Sequence, residues 1–293
     1  MRTSDLAVEF SKKLISKKDY LKVEKRISKN IKSVTVDIKS NEMSKKYGRE
    51  QGFYALLNIP FSPLVQSIER ETIKKELVFL VGKVIEKCGL EDVKSCLIVG
   101  LGNPKLTADC FGPKVVEKVL TTRHAVMSVK DSDLCAVSKI STNVFGQTGL
   151  ESFDIIKGVV DSINPELVIL IDTLVASSYK RLCTNIQIAS VGIVPGSGVD
   201  NARQEISAKT LNVPVITIGV PFVVYASDLV EEKIAKLGVK KSGKNIESGI
   251  KDLIIMPREI DQQLSFCSSV VAESLNECLN PHLSKQDFET FFV

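Results

Sequence analysis

The stretch Cys96-Leu-Ile-Val-Gly-Leu-Gly-Asn-Pro-Lys-Leu-Thr-Ala-Asp-Cys-Phe-Gly-Pro113 contains the features that predict the fold. It begins with an apolar run, 96–99, typical of a buried strand, and continues into a loop with glycines at positions 100 and 102. Apolar residues then recur at helical spacing from about residue 111. A strand, a glycine loop and a helix in this order are the opening unit of an α/β sheet.

Apolar runs and amphipathic helices alternate through the rest of the chain. Further strands are predicted at 134–137, 167–171, 186–188 and 215–218, and helices over about 111–123, 151–163, 222–236 and 259–279. Because the strand runs are continuously apolar, they predict a mostly parallel sheet with helices on both faces. The predicted class is therefore a doubly wound α/β fold, of the phosphorylase or hydrolase type.

The first part of the chain is predicted to be an N-terminal appendage, residues 1–62, to an α/β catalytic domain, residues 63–293. The appendage combines a basic, helix-like stretch with two short strand-like runs at 34–38 and 53–57. A long helix is predicted from residue 63 to residue 88, because Gly89 stands where a C-cap glycine would.

The composition is typical of a globular intracellular protein, with 44% hydrophobic and 25% charged residues. A net charge of +4 is too small to indicate nucleic-acid binding, although basic residues cluster before residue 27 and over 236–244. The seven cysteines form no CxxC pair, which favours reduced thiols over disulfides or a zinc ribbon. With no span-length apolar run and no signal peptide, we expect a soluble, cytoplasmic protein without direct membrane contact.

Two aspartates are the strongest candidates for chemistry. Asp109 stands where the glycine loop becomes a helix, and Asp172 directly follows the apolar run 167–171. Ligands of open parallel sheets bind beyond the carboxyl ends of the strands. A carboxylate at such a position is costly to bury unless it has a partner or a chemical role. We therefore predict that Asp109 and Asp172 are catalytic.

The residues themselves leave several roles open for this pair. Asp109 alone can be a helix N-cap. Two carboxylates held close raise one pKa, so that one carboxyl stays protonated while the other activates water. The same pair can instead hold a divalent metal. Only two histidines, His124 and His282, are present, so histidine-activated nucleophiles have few candidates.

Two glycine turns are candidates for binding substrate or an oxyanion through backbone N–H groups. The first contains Gly102 and Asn103, and the second contains Gly196, Ser197 and Gly198. Either can be an ordinary loop. A dinucleotide loop would need glycine at position 105, where lysine stands, so no organic cofactor is expected.

Several long segments resemble the germination proteases of spore-forming bacteria. They include the N-terminal RTSDLAVE and, in order, LIVGLGNPKLTADCFGPKVVEKVLTTRH, FGQTGLESFDIIKGVV, PELVILIDTLVASSYKRL, TNIQIASVGIVPGSGV, VPVITIGVPFVV and IIMPREIDQQ. The resemblance extends over essentially the whole chain.

This resemblance implies an endopeptidase of the forespore or spore core that degrades small acid-soluble DNA-binding proteins during germination. It also implies a sheet similar to that of the hydrogenase-maturing endopeptidases. The family's proposed catalytic aspartates fall on Asp109 and Asp172 here. Family members are homotetramers made as zymogens, which implies a very short prosegment in this chain, cleaved between Asp5 and Leu6.

The chain departs from the family pattern at two positions. Val194 stands where a histidine is usual, and Tyr225 where an aspartate is common. Loss of that histidine removes a third metal ligand, and so favours an aspartate pair or a weakened enzyme. The alternatives are a catalytically weak or inactive paralogue that acts as a binding protein in sporulation, and a metal-dependent peptidase.

Overall fold

The computed structural model describes residues 21–129, 133–196, 203–236, 250 and 253–283. Its strands are β1 (Leu21–Arg26), β2 (Lys32–Ile38), β3 (Gly52–Asn58), β4 (Ser95–Leu101), β5 (Ala136–Asn143), β6 (Leu167–Ala176), β7 (Asn185–Ala189), β8 (Val215–Tyr225) and β9 (Ile254–Ile255). Its α-helices are α1 (Asn41–Tyr47), α2 (Pro63–Ile68), α3 (Arg70–Lys87), α4 (Phe111–Lys118), α5 (Arg123–Ser128), α6 (Phe145–Thr148), α7 (Ser152–Ile163), α8 (Ala208–Leu211), α9 (Ala226–Lys236) and α10 (Ile260–Leu279).

The described strands form one mixed sheet in the order β1-β2-β3-β7-β8-β6-β4-β5, with β9 added beside the end of β8. Strands β5, β4, β6 and β8 are mutually parallel, as the continuous apolar runs predict. Strand β7 pairs with β8 in the antiparallel sense, and β3, β2 and β1 continue the sheet with antiparallel pairs. The predicted α/β fold is confirmed.

The antiparallel half has a simple physical origin. The connection 177–184 between β6 and β7 is short, and a parallel crossover needs about a dozen residues or more. Strand β7 therefore runs back along the sheet. The strand predicted at 53–57 pairs with β7, and the strand predicted at 34–38 pairs with that strand in turn. Strand β1, at the edge, was not predicted, because its LKVEKR sequence is dominated by the charged side chains that protect edge strands.

The sheet has an apolar layer on each face. Successive side chains of a strand point to opposite faces, and in β6 Leu167 and Ile169 pack with α3, α4 and α10. Val168 and Leu170 belong to the opposite cluster, with Ile156 of α7. The predicted covering of both faces is therefore present.

Several helix boundaries differ from the sequence-based expectation. The helix predicted over 111–123 ends at Lys118, since Val119 is extended, with ψ of 139°. The helix predicted over 222–236 starts at Ala226, because β8 continues to Tyr225 alongside β6. The helix predicted over 63–88 is divided at Glu69 into α2 and α3.

Helix α4 begins in direct backbone contact with the sheet. A Cβ atom on Gly112 would lie 2.4 Å from the carbonyl oxygens of both Ile171 and Leu101. A Cβ atom on Gly100 would lie 2.6 Å from the carbonyl carbon of Gly112. The two glycines thus allow the start of α4 to rest on the carboxyl ends of β4 and β6.

Replacing Gly112 by alanine is expected to destabilise the protein by about 3 kcal/mol, because rigid backbone atoms would have to move to admit the methyl group. The matched control is Gly158→Ala in α7, where nothing lies within 4 Å of the added atom. That control should be stabilising by roughly 0.5–1 kcal/mol, since alanine favours helix. Chemical denaturation of both variants measures the difference, and equal stabilities would contradict the tight-packing argument.

Candidate active site

A cavity of about 880 Å³ opens at the carboxyl ends of the parallel strands. Both Asp109 and Asp172 line it. After β4 the chain forms β5 on one side of β4, and it then crosses to form β6 on the other side. The strand order therefore reverses between β4 and β6. Open α/β sheets bind ligands at this kind of switch point. The cavity therefore lies where the topology favours a site.

Asp109 is held in place by its own loop. It ends a 3-10 turn, Thr107–Asp109, that contacts both β6 and β8. The backbone N–H of Asn103 donates to Asp109 Oδ2 at 2.8 Å, and the backbone N–H of Asp109 donates to the carbonyl oxygen of Leu106 at 2.8 Å. The carboxylate is thereby fixed at the cavity wall, half-buried.

Asp172 belongs to strand β6, which continues past the end of its pairing with β4. Its Cα partner on β8 is Gly219, and the backbone N–H of Thr173 donates to Asp172 Oδ1 at 2.8 Å. The last β6 residue paired with β4 is Ile171. Asp172 therefore occupies the first position at which β6 is open toward the cavity.

Burial shifts the acidity of Asp109. Desolvation raises the pKa of this carboxyl above its ordinary value of 3.8, and the hydrogen bond from the Asn103 N–H only partly opposes the shift. Such a carboxyl keeps its proton to higher pH than a solvated aspartic acid. This is the property that a general acid requires.

The first glycine turn supports Asp109. Gly102 has φ of +105°, and a Cβ atom there would lie 2.0 Å from the carbonyl oxygen of Asp109. The Asn103 side-chain Oδ1 accepts from the backbone N–H of Lys105 and from Gln147 Nε2, both at 3.0 Å. The backbone N–H and the side-chain oxygen of Asn103 thus stabilise the loop around Asp109.

Other candidate positions have mixed outcomes. Gly196 lines the cavity with φ of +74°, whereas Ser197, Gly198, Asp5 and Leu6 lie outside the described residues. Val194 also lines the cavity. Tyr225 is buried at the end of β8, opposite Ile254 of β9.

One wall of the cavity, built by residues that follow α1, was not predicted from the sequence. Arg49, Glu50 and Tyr54 line the cavity although they precede the α/β core in the chain. The Tyr54 hydroxyl donates to the Glu50 carbonyl oxygen at 2.9 Å. Burial raises the pKa of Glu50, nearby Glu205 adds to this, and Lys209 opposes it. Sequence patterns carry no signal for these residues, because pairing of β3 with β7 brings them to the site.

A charged contact on another wall was also missed. Arg203 Nη1 lies 3.1 Å from Glu151 Oε1, and its guanidinium carbon lies 5.0 Å from the centre of the Phe145 ring. All three residues line the cavity. The half-exposed ion pair is a polar boundary to the apolar part of the cavity.

Neither a metal cluster nor a cysteine nucleophile is favoured by the described side chains. Within residues 21–129, 133–196, 203–236 and 253–283, no group of three or more His, Cys, Asp or Glu side chains could hold a metal ion. The seven cysteines are free thiols, and burial raises the pKa of Cys110, which adjoins Asp109. A protonated thiol is a poor nucleophile. The described site therefore offers carboxylates as its reactive groups.

Comparison with known proteins is decisive for the family. Residues 2–251 match the family model described as germination protease. The chain belongs to the germination protease family. The germination protease of Clostridium acetobutylicum is 32% identical over 98% of both chains. That of Bacillus cereus strain G9842 is 40% identical over 75% of this chain and 60% of its own length.

The family defines the activity at a coarse level. The protein is an endopeptidase, a hydrolase of peptide bonds, of a family named for spore germination. A solved NiFe hydrogenase maturation protease, HycI from Thermococcus kodakarensis KOD1, has a TM-score of 0.34 at 15% identity, over 67% of this chain and 98% of that chain. A similarity this low carries no argument about the site. No helix in the described part of the germination protease chain is both long and apolar enough to cross a bilayer.

Asp109→Asn is expected to raise the midpoint of thermal unfolding at pH 7. The folded protein holds the Asp109 proton more tightly than the unfolded chain, so the ionised carboxyl costs stability above its raised pKa. That cost disappears below the ordinary pKa of 3.8, where folded and unfolded forms are both protonated. Melting curves between pH 3 and pH 8 should therefore converge at the acid end. A variant less stable than wild type at pH 7 would contradict this account.

Proposed function

We propose that this protein is the endopeptidase that degrades small acid-soluble DNA-binding proteins during spore germination, with Asp109 and Asp172 activating the attacking water. One observation carries the proposal. In a chain of the germination protease family, two carboxylates from separate segments line a single cavity at the topological switch point of the sheet. Pairs of carboxyl groups catalyse hydrolysis in other enzymes by acting as general acid and general base.

The raised pKa of Asp109 favours a division of roles between the two aspartates. The raised pKa of Asp109 suits the acid that donates a proton to the carbonyl oxygen of the scissile bond. Asp172 is the base that takes a proton from water as the water oxygen attacks the carbonyl carbon. The tetrahedral intermediate then collapses with proton transfer to the leaving nitrogen, and both carboxyls return to their starting states.

The cavity is large enough to take a segment of polypeptide. Its volume of about 880 Å³ is in the upper part of the range of ligand sites. Arg203 lines it in an ion pair with Glu151, and Arg49 lines another part of it, so cations stand among the carboxylates of the lining.

The remaining features of the proposal come from the family resemblance. We propose a homotetramer in the forespore or spore-core cytoplasm, made as a zymogen that is cleaved between Asp5 and Leu6. We also retain residues 1–62 as an N-terminal appendage to the catalytic residues 63–293, although β1, β2 and β3 belong to the central sheet.

One observation favours a second candidate, a binding protein that holds these spore proteins without cutting them. Val194 lines the cavity where family members usually carry histidine, so the substitution lies at the site itself. Turnover of the substrate by the purified chain would exclude this candidate.

Asp109→Asn and Asp172→Asn are each expected to lower kcat/KM on a purified small acid-soluble spore protein by about 10²- to 10⁴-fold. The loss follows because amides neither accept nor donate the required proton. Fragments are measured by mass spectrometry, and Lys157→Ala on the exposed face of α7 is the matched control. Normal cleavage by both asparagine variants would remove these residues from the mechanism.

Chelator is expected to leave cleavage unchanged, because the described site lacks three clustered metal ligands. Rates are compared after dialysis against chelator and again after addition of a divalent ion. Loss with chelator and recovery with the ion would establish the metal-dependent peptidase instead.

A further inference from the structure

One wall of the cavity is a short extended segment, Gly192–Pro195. Its residues are half-exposed and line the same cavity as Asp109 and Asp172. The segment is one arm of an antiparallel pair whose other arm is 203–206. It therefore has one edge that is paired and one that is not.

The hydrogen bonds show which edge is paired. The N–H and C=O groups of Ile193 both bond to Ile206, at 2.9 and 2.8 Å, and the Pro195 carbonyl oxygen accepts from the Arg203 N–H at 3.0 Å. In an extended chain the polar groups of alternate residues point to opposite edges. The N–H and C=O groups of Gly192 and Val194 consequently point away from 203–206, and no described backbone group bonds to them.

Close packing lies behind this edge. A Cβ atom on Gly192 would lie 2.4 Å from the Ile206 carbonyl oxygen and 2.5 Å from Ser207 Cβ, so the two arms are packed in close contact. Pro195 fixes its own φ and has no N–H to leave unsatisfied. The close packing and the fixed φ of Pro195 therefore restrict the orientation of the polar groups of Gly192 and Val194.

Other strand edges are less suitable. The carboxyl-terminal part of β6 also lines the cavity, but Asp172 and Val175 in that part already make further interactions. Strand β1 is a sheet edge but contributes nothing to the cavity lining. Within the described residues, the edge of Gly192 and Val194 combines unused backbone groups with a position in the lining of the cavity that holds the aspartates.

We propose that substrate binds as an extended strand added to the edge of Gly192 and Val194, which positions its scissile bond over Asp109 and Asp172. The N–H of Val194 donates to a substrate carbonyl, and its C=O accepts from a substrate N–H. Strand addition binds a polypeptide through its backbone, with side-chain selectivity left to the flanking surfaces. Val194 is then a positioning residue. The inference rests on the proposed function only in taking the cavity as the peptidase site.

The first test compares Val194→Pro with Val194→Ala. Both variants lose the valine side chain, but only the proline variant loses the N–H. The ratio of their kcat/KM values therefore isolates the backbone hydrogen bond. We expect kcat/KM of the proline variant to be roughly tenfold lower than that of the alanine variant, with equal melting temperatures. The pair is measured on any polypeptide that the wild type cuts.

The second test leaves the protein unchanged, so it also serves if the proline variant folds poorly. Peptides spanning a cleavage site are N-methylated at one amide at a time. A substrate strand paired along one edge should lose cleavage at every second position, because alternate amides point toward the enzyme.

The outcomes separate this inference from the proposed function. Failure of the wild type to cut small acid-soluble spore proteins while it cuts other polypeptides would overturn the proposed substrate but leave the strand test valid. Equal rates for the two Val194 variants, together with N-methyl effects that lack a two-residue period, would overturn strand addition. A tenfold ratio with the alternating pattern would establish it.

Discussion

The start of helix α4 touches the sheet backbone to backbone, and the geometry of the site depends on that contact. Gly112 lies against the carbonyl oxygens of Leu101 and Ile171, where any side chain would clash. The preceding 3-10 turn is thereby held against β6 and β8. Asp109, at the end of that turn, lines the same cavity as Asp172 because no side-chain layer separates helix and strands.

The same closeness determines the acidity of the site. The Asp109 carboxyl lies against packed backbone and is partly shielded from water. This desolvation raises its pKa. The single backbone hydrogen bond from Asn103 is enough to orient the group but not to offset the desolvation. The protein thus keeps a group that is unfavourable for stability where it is useful for chemistry, a common compromise in enzymes.

The rest of the cavity depends on the antiparallel half of the sheet. Pairing of β3 with β7 brings Arg49, Glu50 and Tyr54 to the site. Beyond β7 the chain forms the arm that contains Gly192 and Val194 and returns through Arg203. Two walls of the cavity are therefore built by segments on either side of β7, while the aspartates come from the parallel half.

Local sequence was sufficient to predict the parallel strands, the helices on both faces and the position of Asp109 and Asp172. Continuous apolar runs such as 167–171 and a glycine loop are local signals, and parallel strands place their carboxyl ends together. Only the tertiary structure decided the antiparallel direction of β7, the extension of β8 to Tyr225, and the contribution of Arg49 and Arg203 to the cavity. These features arise from pairing between residues far apart in the chain, and such pairing leaves no periodicity in either partner.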